Sequence, residues 1–488
     1  MKRGIMLSLI AALAVTGGAE AATRAQLARK LAALEAQMAE LKADLESTKT
    51  TVSKVKAHDA GDNIKWSVDL RTSIDNINYE MADGTERSKS DLMTTRLWLN
   101  MAYAPDENNI FKGQLSYNKA FGADMGNMRG FTMDRFDWVT NESVSSNELK
   151  VRQAYWLYMN DTFLGAEIPW TMSFGRRPST NGFLANLRDD DEAQSPLGHN
   201  INVEFDGASS RYDLENVTGI SGMSFKICAG QGSTNAKPRF NNTGTDYDAD
   251  KSLLDDSKLL GFIFVPYDDG QFKLKTTAFR AWNMPGYSEA EMGHAMMDPT
   301  YSPNMSVRGN MDGAAVSLMI DGLTEDGIFE DTKVFGSFAW SKTRPDSGST
   351  MLGSSKDESG TSYWVGIQQP IFDGKGKLGL EYNHGSEYWR PFTYGEDTMI
   401  GSKLAARGDA IEAYFTYQMS EALSFQLRYT AIDYEYTGSN GFFGASGTPA
   451  KISDIKAGAA GGDPMATAMS HMIVDKAQDI RAYVRYRF

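Results

Sequence analysis

The segment 477–488, AQDIRAYVRYRF, alternates without a break. Ile480, Ala482, Val484, Tyr486 and Phe488 fall on one face of a strand. Asp479, Arg481, Tyr483, Arg485 and Arg487 fall on the other. Side chains in a strand repeat every two residues, so one face is apolar or aromatic and the other strongly cationic. The same division recurs upstream. Ile64, Trp66, Val68, Leu70 and Ile74 oppose Lys65, Ser67, Asp69, Arg71 and Asp75, and Phe111, Leu115 and Tyr117 oppose Lys112, Gln114, Ser116 and Asn118. Leu423, Phe425, Leu427 and Tyr429 oppose Ser424, Gln426, Arg428 and Thr430. Segment 258–266, KLLGFIFVP, alternates poorly and is the weakest strand. Past the first few tens of residues, no apolar run reaches the ~18 residues a membrane helix requires. Many alternating strands without such a run leave two folds, a soluble sandwich or a transmembrane barrel. A sandwich would have to bury one polar face of each sheet. A barrel places that face on a wet lumen and the other on lipid.

The connections favour the barrel. Short, turn-rich links at Pro105–Asn109, Tyr267–Gly270, Asp373–Lys375 and Met419–Glu421 alternate with long ones at 80–92, 120–148, 177–200, 230–256, 284–309, 343–361, 387–402 and 437–475. A compact soluble domain seldom keeps so many long loops without structure of their own. The pattern predicts an all-β transmembrane barrel of about sixteen antiparallel strands over 64–488, with short periplasmic turns and long external loops. Trp66, Tyr103, Tyr117, Trp282, Trp340, Trp364 and Tyr417 lie near predicted strand ends, where interfacial aromatic girdles are expected.

Residues 1–21 fit an export signal: Lys2 and Arg3, an apolar core from Ile5 to Val15, and Ala19-Glu20-Ala21 before the cut. Cleavage removes Lys2, Arg3 and Glu20 and leaves 47 basic and 62 acidic residues, a net charge of −15. That balance argues against a nucleic-acid partner, which needs a basic surface. The hydrophobic fraction of 41% and mean hydropathy of −0.41 resemble those of a soluble protein, as they do in a barrel where only alternate residues meet lipid. The single Cys228 has no partner for a disulfide and no metal-ligand cluster around it.

Residues 22–57 carry a heptad stripe. Leu27, Leu34, Leu41, Thr48 and Val55 fill one seam position, and Leu31, Met38, Leu45 and Val52 the other. Two of the flanking pairs, Lys30–Glu35 and Asp44–Lys49, are opposite in charge, which favours a parallel, in-register assembly over a single helix packed on its own protein. The expectation is a periplasmic coiled coil that drives oligomerisation through Leu27, Leu31, Leu34, Met38, Leu41, Leu45, Val52 and Val55. By analogy with porins it would be a homotrimer. Residues 58–63 then form a linker.

Several segments resemble an uncharacterised family of Gram-negative outer-membrane proteins within the porin superfamily. They are SFGRRPSTNGF (173–183), FDGASSRYDLE (205–215), LGLEYNHGSEYW (378–389), KLAARGDAIEAYF (403–415) and YTGSNGFFG (436–444). The resemblance spans most of 64–488 and implies a porin-like fold, with no substrate or catalytic residue to carry over. Gly175, Pro178 and Gly182 would shape a bend from strand to loop. The terminal Tyr486 and Phe488 resemble the signal by which outer-membrane proteins engage the barrel-assembly machinery. The expected location is therefore the outer membrane of a Gram-negative bacterium, with lipid around the barrel.

The third long loop, 177–200, carries Asp189, Asp190, Asp191 and Glu192. In general porins this loop folds inward and narrows the pore. Strand parity turns Arg71, Arg96, Lys112, Arg152, Arg428, Arg481 and Arg485 inward, so an acidic loop would face a cationic wall across a wet constriction. The competing reading leaves the acids on a solvated external loop. Asp246, Asp248 and Asp250 have the spacing of a calcium loop, but Lys251 replaces the required Gly and Ser257 the closing Glu, so no metal is assigned. The five histidines show no ligand spacing, and His384 near Glu381 and Glu387 suggests a structural hydrogen bond. No Ser–His–Asp grouping or haem motif appears, so neither an enzyme nor a cofactor is expected. The expected function is diffusion of small hydrophilic solutes or ions. The alternative is a structural envelope tether or an adhesin whose pore is incidental.

Overall fold

The computed structural model describes residues 64–488 apart from 124–143, 145–146, 178–179, 237–243, 246, 251–253, 299, 394–397 and 440. The expected export signal, coiled coil and linker (1–21, 22–57 and 58–63) lie outside the described residues, as do Pro178, Asp246 and Lys251. No helix among the described residues is long and apolar enough to cross a membrane.

Sixteen antiparallel strands close into one barrel. In order they are Lys65–Met81, Glu86–Tyr103, Asn109–Ala120, Lys150–Asn160, Trp170–Arg177, Phe205–Asp213, Ser224–Gln231 and Lys258–Asp268. The second half comprises Phe272–Gly286, Ser306–Asp321, Lys333–Pro345, Glu358–Ile371, Gly376–Gly385, Gly408–Gln418, Leu423–Tyr434 and Val474–Arg487. The sixteenth strand pairs with the fifteenth and the first, with Arg71 opposite Arg485 and Asp75 opposite Arg481. Beyond it, Val68 and Phe488 exchange backbone hydrogen bonds of 2.9 and 3.1 Å. Closure leaves no unpaired edge, which hydrocarbon would not tolerate.

The alternation sorts the faces as expected. Ile480, Val484 and Tyr486 are 49%, 45% and 44% exposed on the outside, whereas Arg481 and Arg485, between them in sequence, are buried within. Short connections such as 104–108, 269–271, 372–375 and 419–422 share one end of the barrel with both ends of the described chain. Seven of the eight expected long links join strands at the other end. The link 80–92 instead becomes a hairpin with only 82–85 as its turn. Asp83 accepts hydrogen bonds from the Thr85 amide (2.9 Å) and hydroxyl (2.6 Å), closing the turn tightly. The polar residues 86–91, which suggested a loop, therefore continue the strand ladder.

The lumen is filled. Residues 180–204, 389–393, 398–407 and 441–447 pack inside it and join apolar inward residues of the wall. Phe392, Phe442 and Phe443 gather with Leu259, Phe279 and Val203, while Leu184, Leu197 and Leu404 gather with Trp364 and Phe335. Buried Arg407 binds the segments to one another, donating to the carbonyls of Trp389 (3.0 Å), Thr437 (2.9 Å) and Gly447 (2.7 Å). This packing corrects two expectations. Segment 258–266 alternates poorly because its inward residues Leu259 and Ile263 meet apolar neighbours rather than water. Trp364 is no girdle residue: it is fully buried in the lumen, and its indole donates to Glu381 at 3.0 Å.

Candidate functional site

The seam between the first and last strands gathers the predicted wall. Asp69, Arg71 and Asp75 project inward from the first strand, Arg96 from the second, Arg428 from the fifteenth, and Arg481 and Arg485 from the sixteenth, all buried. The wall is not a bare cationic arc, however. Arg481 pairs with Asp75 at 2.5 Å, Arg485 donates to Asp69 at 2.9 Å, and Arg96 lies 3.5 Å from Asp69. Arg428 lies 3.9 Å from Glu412, and Arg152, on the fourth strand, 2.9 Å from Glu204. Arg71 stacks over the Tyr483 ring at 5.2 Å. Parity that turns arginines inward also turns inward the acids on the same faces. Charges withdrawn from water need partners close by, and the wall supplies its own.

Residues 180–204 lie inside the barrel. Gly175, at φ +122° in the fifth strand, begins the bend, where a Cβ would come within 2.3 Å of the Ala154 carbonyl oxygen. Thr180 then accepts from Arg152 at 2.5 Å, and the chain crosses to the far wall. Arg188 reaches Glu412 at 3.1 Å. Asp189 accepts from the Tyr483 hydroxyl at 2.9 Å, and its backbone carbonyl accepts from Arg485 at 2.7 Å. Asp191 accepts from Arg485 at 2.6 Å, Arg487 at 3.0 Å and Asn181 at 2.8 Å. Asp190 meets Lys377 at 2.5 Å. Glu192 has no ion pair among the described residues and lines a cavity instead.

On the return, the Leu197 amide donates to Thr277 at 3.2 Å. His199 sits between the hydroxyls of Ser337 (2.8 Å) and Ser362 (2.9 Å). Burial pushes its imidazole down to about 3, against a weaker opposing hydrogen bond from Asn383, so the ring is neutral at physiological pH. The segment is thus fastened at the fourth, ninth, eleventh, twelfth, thirteenth, fourteenth and sixteenth strands.

What remains open beside it is a cavity of about 390 Å³ in the half of the barrel nearer the short turns. The inner wall of the first four strands supplies Lys65, Asn100, Lys112, Gln114 and Tyr155, and the segment supplies Glu192. Its lining is polar and bears both signs of charge.

A second ionic cluster escaped sequence reasoning. Lys403, from the 386–407 connection, reaches Glu381 at 2.6 Å and Glu412 at 2.5 Å. Glu412 lies between Ile411 and Ala413, with Ala410 and Tyr414 sharing its face. Neither face of that strand is distinctly polar, and only the lone acid in an otherwise apolar run marks the spot. Nothing in the sequence points Lys403 toward it. Of the histidines, His384 bonds Asp409 at 2.8 Å rather than Glu381 or Glu387. Among the described residues no group of His, Cys, Asp and Glu could hold a metal ion. Tyr486 and Phe488 pack at the barrel's outer seam, with ring centroids 5.0 Å apart and planes tilted by 56°.

A family model described as "Protein of unknown function (DUF3373)" matches residues 86–488. No curated protein matches the sequence significantly. Among solved structures, the anion-selective porin from Comamonas acidovorans is 10% identical with a TM-score of 0.45, over 87% of this chain and 99% of that one. Pseudomonas putida OprB is 11% identical at 0.45, over 91% and 97%. Salmonella typhi OmpF in complex with daunomycin is 11% identical at 0.44, over 87% and 98%.

Proposed function

The chain belongs to this DUF3373 family, and we propose that it is an outer-membrane barrel that passes small hydrophilic solutes or ions through a narrow, charge-lined constriction. The observation that carries the reading is the opposition of two surfaces on the same strands. The outside presents large apolar side chains, and the inside presents charged and hydrogen-bonded ones. A water-soluble barrel would have no reason to expose the first, and a lipid-filled one could not hold the second. The route runs through the 390 Å³ cavity, between the wall of the first four strands and the inward segment at Glu192. Rings and arcs of fixed charge at such a point select by sign and size. No catalytic role is assigned to the barrel.

The filled lumen supports a second reading. Phe392, Leu404, Phe442 and Phe443, from two of the long connections, place apolar side chains in the interior, as a structural barrel with an incidental pore would. Planar-bilayer recording from refolded protein separates the two. Reproducible unitary conductance steps support the channel. A barrel that inserts, shown by heat-dependent mobility on a gel, yet stays silent in molar salt overturns it.

A further inference from the structure

Buried cations on the seam side of the lumen meet carboxylates of the chain: Arg152 meets Glu204, Lys403 meets Glu381 and Arg481 meets Asp75, all within 3 Å. Across the lumen the pattern breaks. Arg177, at the end of the fifth strand, and Lys226, on the seventh, line one cavity of about 50 Å³. Among the described residues neither has a carboxylate within the 4.0 Å of an ion pair. Arg177 lies 4.4 Å over the Tyr155 ring, and its buried Nη1 has no hydrogen-bond partner among the described residues. Lys226 donates to the Ser195 hydroxyl at 2.6 Å. Ser209, Cys228 and Thr277 complete the polar lining.

A guanidinium cannot shed its charge inside a protein, so burial without a counter-charge is costly unless something supplies one. The surroundings deepen the deficit. Lys275 is buried against the Phe183 ring at 5.4 Å, with no carboxylate within ion-pair distance among the described residues. Toward the short-turn end, Lys273 and Arg211 are more exposed and pair with Asp268 and Asp213. Cations therefore run from the partly exposed Arg211 and Lys273, through Lys275 and Lys226, to Arg177. The cations with a carboxylate partner lie toward the short-turn end, and those without one among the described residues lie deeper in the lumen.

We infer that the cavity bounded by Arg177, Lys226 and Ser195 is a binding site for a small inorganic anion of halide or nitrate size. At ~30 Å³ per water its volume would hold about two waters, enough for such an ion stripped of most of its hydration and too little for a sugar or a nucleotide. Nη1 of Arg177 and the Lys226 ammonium supply the charge, and the hydroxyls of Ser195 and Thr277, which accept from Lys226 and the Leu197 amide, each keep a proton to donate. The site goes beyond the channel reading and stands whether or not the barrel conducts.

Cys228, the only cysteine of the chain, lines the cavity and reports its occupancy. The test uses refolded full-length protein and a small neutral methanethiosulfonate, in sodium bromide or sodium gluconate at equal ionic strength. Bromide at about ten times its dissociation constant leaves about one site in ten empty, so modification should slow about tenfold. Lys226→Met and Arg177→Gln should abolish that protection. Equal rates in the two salts overturn the proposal, as does protection unchanged in both variants. If Cys228 proves unreactive, or the variants fail to fold, bromide anomalous scattering from wild-type crystals decides. A peak between residues 177 and 226 supports the site, and an empty cavity overturns it.

Discussion

Tyr483 of the closing strand donates its hydroxyl to Asp189 of the inward segment, 2.9 Å away and 294 residues distant in sequence. The strand that seals the barrel therefore also fastens the chain that fills it. Arg485 repeats the link two residues on, bonding both the Asp189 carbonyl and the Asp191 carboxylate.

Changing Asp189, Asp190 and Asp191 to Asn and Glu192 to Gln should shift ion preference toward anions and raise unitary conductance. Losing one partner of a buried ion pair costs about 3–5 kcal/mol, so the segment should also loosen from Arg188, Arg485 and Arg487. Charges within a Debye length of ~8–10 Å act strongly on a passing ion. Reversal potentials in a salt gradient check the shift, and an unchanged potential places the acids off the route.

His199 should make the barrel acid-sensitive. Its folded value of about 3 lies below the unfolded ~6.5, so the unfolded chain binds more protons between those limits. Stability is then complete above about pH 6.5, falls by up to ~1.4 kcal/mol per pH unit below it, and levels off under about pH 3. Urea midpoints at pH 7 and pH 5 should differ for wild type and differ less for His199→Gln.

Gly379→Val should destabilise the wall by about 1–3 kcal/mol through overpacking. A Cβ at Gly379 would stand 2.0 Å from the Tyr414 ring, which lies flat over this position. The displaced ring would lose the 3.0 Å hydrogen bond that Tyr414 shares with Gln368. Gly379→Ala with Tyr414→Leu should recover much of the loss, as urea midpoints would show.

Removing Val474–Arg487 with Phe488 leaves the first and fifteenth strands each with one unpaired edge, so outer-membrane insertion should fail. Phe488→Ser should impair it less. Surface accumulation of the truncated chain at wild-type amounts would contradict the membrane-barrel reading.

Deleting residues 22–57 should leave the barrel folded but reduce its oligomers, since the leucine seam has no other apolar partner in the heptad pattern. Size-exclusion with light scattering in detergent gives the answer, and an unchanged mass refutes the role.

The sequence by itself determined the wall of this protein. A period of two is local: Ile480 points out and Arg481 points in whatever the rest of the chain does, so strand number, parity and the inward arginines were all legible. The turn at 82–85 was not, because a polar strand and a loop share a composition and only the Asp83–Thr85 bonds separate them. Tertiary structure alone decided what fills the lumen. Lys403 reaches Glu381 and Glu412, and Trp364 turns inward, because distant connections fold into the same space. Which cation meets which carboxylate, and that Arg177 and Lys226 meet none among the described residues, depends on contacts between residues far apart in the chain. Periodicity assigns a side chain to a face, while its partner on that face is set by the packing of every segment that shares the interior.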